Sequence, residues 1–101
     1  MTVSFTLEEN GLCAEITGDI DHHSAKAIRD EIDKACAKYL PDVLYLDLSG
    51  VSFMDSSGIG LIMGRYKLMR EHGGTIEITG ASHGIARMIK LAGLARLGIE
   101  V

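Results

Sequence analysis

"VLYLDLSGVSFMDSSGIGLIMGRYKLM", residues 43–69, changes its period halfway along. The opening "VLYLDL" (43–48) is almost continuously apolar, as expected for a strand covered on both faces. In the second half Ile59, Ile62, Met63, Tyr66 and Met69 recur at helical spacing, and Gly73-Gly74 ends the pattern. A strand therefore feeds a helix. The junction carries an aspartate, two serines and a glycine, Asp55-Ser56-Ser57-Gly58, and the chemistry of that junction decides the function.

The same alternation extends in both directions. Upstream, Ala25, Ile28, Ile32, Ala35, Cys36 and Tyr39 mark one face of a helix, with Lys26, Arg29, Asp30, Asp33 and Lys34 on the other. Asp21 or Ser24 can cap its start, and Pro41 forbids its continuation. Before it, Val3, Phe5 and Leu7, then Leu12, Ala14 and Ile16, alternate with polar residues around Asn10-Gly11, a pair suited to a tight hairpin with positive φ. Downstream, Ile76 and Ile78 indicate a further strand. Ser82 opens a third helix, with Ile85, Met88, Ile89 and Ala92 inward and Gly93 at its end. "LGIEV" (97–101) reads as a short last strand. The fold class is α/β: a small mixed, mostly parallel sheet of four to five strands, an N-terminal hairpin and three main helices, in one domain spanning 1–101.

Composition excludes several classes. A net charge of −4 argues against direct DNA binding, which favours a basic face. No apolar run approaches membrane-spanning length, and "MTVSFTLEEN" lacks a signal-peptide pattern, so a cytoplasmic protein without membrane contact is expected. Cys13 and Cys36 have neither ligand nor redox spacing and read as small core residues.

Three chemistries compete for the junction. A phosphate-binding loop would need Gly-x4-Gly-Lys-Ser/Thr or Gly-x-Gly-x-x-Gly, and "DSSGIGLIMG" contains neither, so no nucleotide cofactor is expected. A serine esterase would need Gly-x-Ser-x-Gly, but Met54 and Asp55 stand two residues before Ser56 and Ser57. The chain reads as a non-enzyme. Plain helix capping explains Asp55 or Ser56 as an N-cap but leaves the second hydroxyl unexplained. A regulated serine explains both: a hydroxyl in the first helical turn can carry a phosphate dianion, because the helix N-terminus favours negative charge. On the residues alone, Ser56 and Ser57 remain equivalent.

"GDIDHHSAKAIRDEID", "LDLSGVSFMDSSGIGLIMGRYKLM" and "GLARLGIEV" together resemble the STAS-domain anti-sigma-factor antagonists, closest to the sporulation type, over nearly the whole chain. The resemblance implies a switch without catalysis. The unphosphorylated protein would bind an anti-sigma factor that is also an ATP-dependent serine kinase, and so free the sigma factor. That kinase would phosphorylate the second serine of the motif, Ser57, and a serine phosphatase would reset it. Asp21 would lie at the partner surface with His22, His23, Met54, Asp55, Ser56, Ser57, Gly58, Ile59 and Gly60. Two alternatives keep the fold and change the circuit: a stress-response partner switch or a lipid-transport complex. The family usually adds a helix after the last strand, where this chain stops at Val101, so an apolar patch favouring weak self-association is expected there.

The remaining polar residues read more plainly. His22 and His23, adjacent and so pointing apart, lack a third ligand, and no metal is expected. His72 and His83 read as helix-end and loop residues. Met54, Met63, Met69 and Met88 read as core, while Arg65, Lys67 and Arg70 read as a solvated face.

Overall fold

The computed structural model describes residues 2–99 and 101. In chain order the elements are β1 (Thr2–Leu7), β2 (Gly11–Ile20), α1 (Ala25–Tyr39), β3 (Val43–Met54), α2 (Ser56–Glu71), β4 (Thr75–Thr79) and α3 (His83–Leu91), then a 3-10 turn (Leu94–Leu97). The four strands lie in the order β1-β2-β3-β4, with β1 antiparallel and the others parallel. This is the mixed α/β sheet that the periodicities indicate.

Strand order decides where the core sits. From β2 to β4 the chain steps in one direction across the sheet, so two crossovers of the usual right hand place α1 and α2 on the same face. They pack against each other there. Pairing aligns Phe5 with Ala14, Ala14 with Leu46 and Leu46 with Ile78 on that face. Ile28 and Ile32 of α1, Leu61 and Ile62 of α2, and Ile85 and Ile89 of α3 join the same buried cluster. Each fully buried Ile or Leu contributes about 1.5–3 kcal/mol. The opposite face carries Ser4, Thr6, Glu15, Thr17, Glu77 and Thr79, all exposed, with Tyr45 and Asp47 half-buried among them. The expectation that 43–48 is covered on both faces is therefore corrected: helices cover one side only.

Several local readings change. Asn10-Gly11 does not adopt positive φ. Leu7 pairs with Leu12 across a longer turn closed by Glu8 N–H donating to the Gly11 carbonyl at 2.8 Å. Gly11 is required for a close approach, since a Cβ there would stand 2.7 Å from Tyr45 Cε2. Helix α1 ends before Pro41 with Leu40 in the left-handed region, φ 48°, its N–H bonded to the Cys36 carbonyl. Tyr39, Met63 and Ala92, expected inward, are exposed. Cys36 is buried, whereas Cys13 is half-buried on the open face.

"LGIEV" is not a strand in its described residues. Leu97 closes the 3-10 turn, Gly98 takes φ 83°, and Ile99 is buried without strand pairing; Glu100 lies outside the described residues. Leu91, Leu97 and Val101 are exposed near this end. Among the described residues, no helix is long and apolar enough to cross a membrane.

Candidate functional site

At their C-terminal ends β2 and β3 stay paired through Ile20 and Met54, past a bulge at Gly18, whose φ is 105°. This pairing sets the β2–α1 and β3–α2 turns side by side. Asp55 N–H donates to the Ile20 carbonyl at 3.1 Å and joins them.

Asp55 is the N-cap of α2: its backbone is extended and its Oδ1 accepts the Ser57 N–H at 2.8 Å. Such a cap satisfies an orphan donor and contributes about 1 kcal/mol. Ser56, the first helical residue, is exposed, and Ser57, the second, is half-buried. Gly58 brings the helix down onto the sheet, because a Cβ there would collide with the Met54 side chain.

The neighbouring turn is built on Asp21. Its Oδ1 accepts the N–H groups of His23 at 2.9 Å and Ser24 at 3.1 Å. Ser24 Oγ accepts the Asp21 N–H at 3.1 Å and donates to the Asp19 carbonyl at 2.8 Å. The His23 N–H, the largest influence, holds the Asp21 carboxyl below the ordinary carboxylate range; desolvation opposes it, and the Ser24 N–H adds to the lowering. Of the two capping residues expected from the sequence, Asp21 caps this turn, whereas Ser24, at the N-cap of α1, makes no side-chain bond to the helix and braces the turn instead. His22 and His23 do not point apart: their ring centroids lie 3.9 Å from each other at 39°. His22 Nδ1 stands 3.9 Å from Asp55 Oδ2, so His22 faces the β3–α2 turn. Among the described residues no serine hydroxyl is hydrogen-bonded to a histidine ring.

Beside Ser57 lies an open groove of about 550 Å³ between α1 and α2. One wall is the stripe His22, Ala25, Lys26 and Arg29; the other is Ser57, Gly60, Leu61, Gly64 and Arg65. Both follow the i, i+3, i+4, i+7 spacing of a single helix face. A Cβ on Gly60 or Gly64 would meet nothing within 4 Å, so these glycines leave space rather than permit packing.

Arg65 corrects the expected solvated face. Lys67 and Arg70 are exposed, but Arg65 is only 8% exposed. Its Nε stands 2.9 Å from Asp33 Oδ1. Neither atom, nor Arg65 Nη1, makes a well-angled hydrogen bond with a described residue, so the contact is one of charge rather than of directed bonding. Burial lowers the guanidinium's proton affinity and Asp33 opposes that.

The expected contact set is only partly at the surface. Asp21, His22, His23, Asp55, Ser56, Ser57 and Gly60 reach it, and Ile59 is half-buried against the core. Met54, 2% exposed, and Gly58 are buried and correct the expectation of direct contact: they shape the turn from below. Phe53, its neighbour in β3, is 52% exposed. Lys26 and Arg29 were missed as site residues; the shared spacing of 22, 25, 26 and 29 was the signal available. A more apolar groove of about 540 Å³ lies by the C-terminal end of α1, lined by Cys36, Leu40, Pro41 and Met69 among others. Burial first, then Asp33, pushes the Cys36 thiol up, so it is not a ready nucleophile.

The STAS domain family matches residues 4–99. The chain is 33% identical over 86 residues to an anti-sigma F factor antagonist of Paenibacillus polymyxa, covering 85% of this chain and 74% of that one. It is 31% identical over 94 residues to an anti-sigma-B factor antagonist of Bacillus subtilis (strain 168), covering 93% and 84%. In fold it is similar to the anti-sigma factor antagonist SpoIIAA in its unphosphorylated form, at TM-score 0.81 and 24% identity over 94% of this chain and 84% of that one. The phosphorylated form of SpoIIAA gives 0.74 at 24% identity over 94% and 86%. Family match, element order and strand order agree, and the chain belongs to the STAS domain family.

Proposed function

We propose that this chain is an anti-sigma-factor antagonist of the sporulation type, switched by phosphorylation of Ser57. Unmodified, it binds an anti-sigma factor that is also a serine kinase and so releases the sigma factor. Phosphorylated by that kinase, it lets go, and a serine phosphatase restores it. The reading places the protein in the cytoplasm, with no catalytic role of its own.

The position of Ser57 carries this reading. It sits in the second position of α2, beside Asp55 and the Asp21–His23 turn, half-buried at the rim of the groove. A dianion added there changes the surface without entering the core, where a charge would cost several kcal/mol. Relatives named as antagonists support it, as does a fold neighbour solved in unphosphorylated and phosphorylated forms. Ser56 is exposed and does not line the groove, which favours Ser57. A second reading keeps the switch and changes the circuit to sigma B, favoured by the 31% identity to the sigma-B antagonist.

The test incubates the chain with ATP and each of two kinases, an anti-sigma F and an anti-sigma-B factor, and locates phosphate by mass spectrometry. Phosphate on Ser57 with the sigma F kinase is expected. Phosphate confined to Ser56 would overturn the assignment, and modification by the sigma-B kinase alone would move the protein to the second circuit.

A further inference from the structure

A phosphate on Ser57 needs somewhere to go. Part of the helix N-terminus is already committed, because Asp55 Oδ1 accepts the Ser57 N–H at 2.8 Å and the Asp55 carbonyl accepts the Gly58 N–H at 2.9 Å. Sharing that end would set a dianion against a carboxylate, which is unfavourable. The other side of Ser57 is the groove, whose α1 wall presents Lys26 and Arg29. Its α2 wall includes Arg65, whose side chain is nine-tenths buried and whose Nη1 has no hydrogen-bond partner among the described residues.

We infer that this groove is a receiving site for a phosphate dianion tethered to Ser57, with Lys26 and Arg29 as its ligands and Arg65 as fixed positive charge beneath. The inference rests on the reading of Ser57 as the modified residue.

The cations are free to serve. Lys26 Nζ lies 3.5 Å and Arg29 Nη2 3.3 Å from Asp30, in exposed local pairs. Such pairs are worth 0 to about 1 kcal/mol, so a stronger acceptor redirects them readily. A phosphate dianion is that acceptor, and a guanidinium can meet it with two parallel N–H donors. Gly60 and Gly64 leave the space it would occupy. The titratable groups around this position are His22 in the groove wall with His23 tilted against it, Asp55 3.9 Å from His22, Asp30 beside Lys26 and Arg29, and Asp33 beside Arg65. The carboxylates oppose capture and the cations favour it. Phosphorylation would then withdraw two cations from the α1 surface as well as add a dianion.

The test installs phosphoserine at 57 by genetic encoding, so it does not depend on any kinase modifying that residue. The second pKa of the phosphate is followed by 31P NMR in the full chain and in Lys26→Gln/Arg29→Gln, both exposed positions whose exchange leaves the core intact. An unperturbed phosphoserine titrates near about 6. Capture predicts that the parent titrates about half a unit or more below the double variant, a modest shift suited to a solvated groove. Phosphoserine at 56 serves as control and is expected to ignore the substitution. An identical pKa in parent and variant would overturn the inference, whether or not a kinase modifies Ser57. So would inorganic phosphate binding the unmodified chain at millimolar concentration while the tethered pKa stays unmoved, which would reassign the groove to a free anion.

Discussion

Asp55 Oδ1 accepts the backbone N–H of Ser57 at 2.8 Å, so the residue that caps α2 also fixes the backbone of the serine proposed as the switch. Stability and regulation are thereby separable. Asp55→Asn keeps an N-capping acceptor and should unfold within a few tenths of a kcal/mol of the parent. Asp55→Ala should lose about 1 kcal/mol. Urea titration of the three proteins checks both, and an equal loss for Asn and Ala would show that charge rather than capping holds the turn.

Gly60 and Gly64 sit inside α2 with open space where a Cβ would stand. Glycine weakens a helix interior by about 0.5–1 kcal/mol relative to alanine. Gly60→Ala and Gly64→Ala should therefore raise the melting temperature while weakening whatever enters the groove. Thermal unfolding and kinase binding, measured on the same samples, should move in opposite directions; a destabilised variant would mean the space is needed for packing.

Asp33 and Arg65 form an asymmetric pair. Removing Asp33 strands a buried guanidinium, and Asp33→Ala should lose about 1–3 kcal/mol, moderated by the partial exposure of the aspartate. Arg65→Met removes the charge itself and fills similar volume, so it should be close to neutral or stabilising. Denaturant midpoints that fall equally for both would contradict this account of the pair.

Asp21 links the first turn to pH. Its folded carboxyl is held below its ordinary value of about 3.9 by the His23 and Ser24 N–H groups. A depressed pKa stabilises the fold above the unfolded value, and that contribution is lost as pH falls through the folded one. The stability gap between the parent and Asp21→Ala should be full above about pH 4 and narrow below it. A gap that widens on acidification would exclude the turn as its source.

The element order was legible because the periods of α1, α3 and β4 are strong, and the cap was legible because Asp and Ser at a strand–helix junction are favoured N-caps. The open face of the sheet was not. "VLYLDL" carries Tyr45 and Asp47 outward, but an aromatic within an apolar run reads as core until strand order shows which side lacks helices. "LGIEV" is not a strand because Gly98 in the left-handed region turns the chain and Ile99 is buried without strand pairing. Arg65 failed because a lone arginine at a helical position signals solvent, and only Asp33 on a different helix reveals its partner. Lys26 and Arg29 belong to the site for the same non-local reason: α1 packs beside α2, and the sequence of α1 does not name its neighbour.

The most direct test is equilibrium titration of an anti-sigma F factor kinase with the chain bearing no phosphate and with the chain bearing phosphoserine at 57. The account predicts that affinity falls by about 100-fold or more on modification, close to 3 kcal/mol. Equal affinity for the two forms would contradict it.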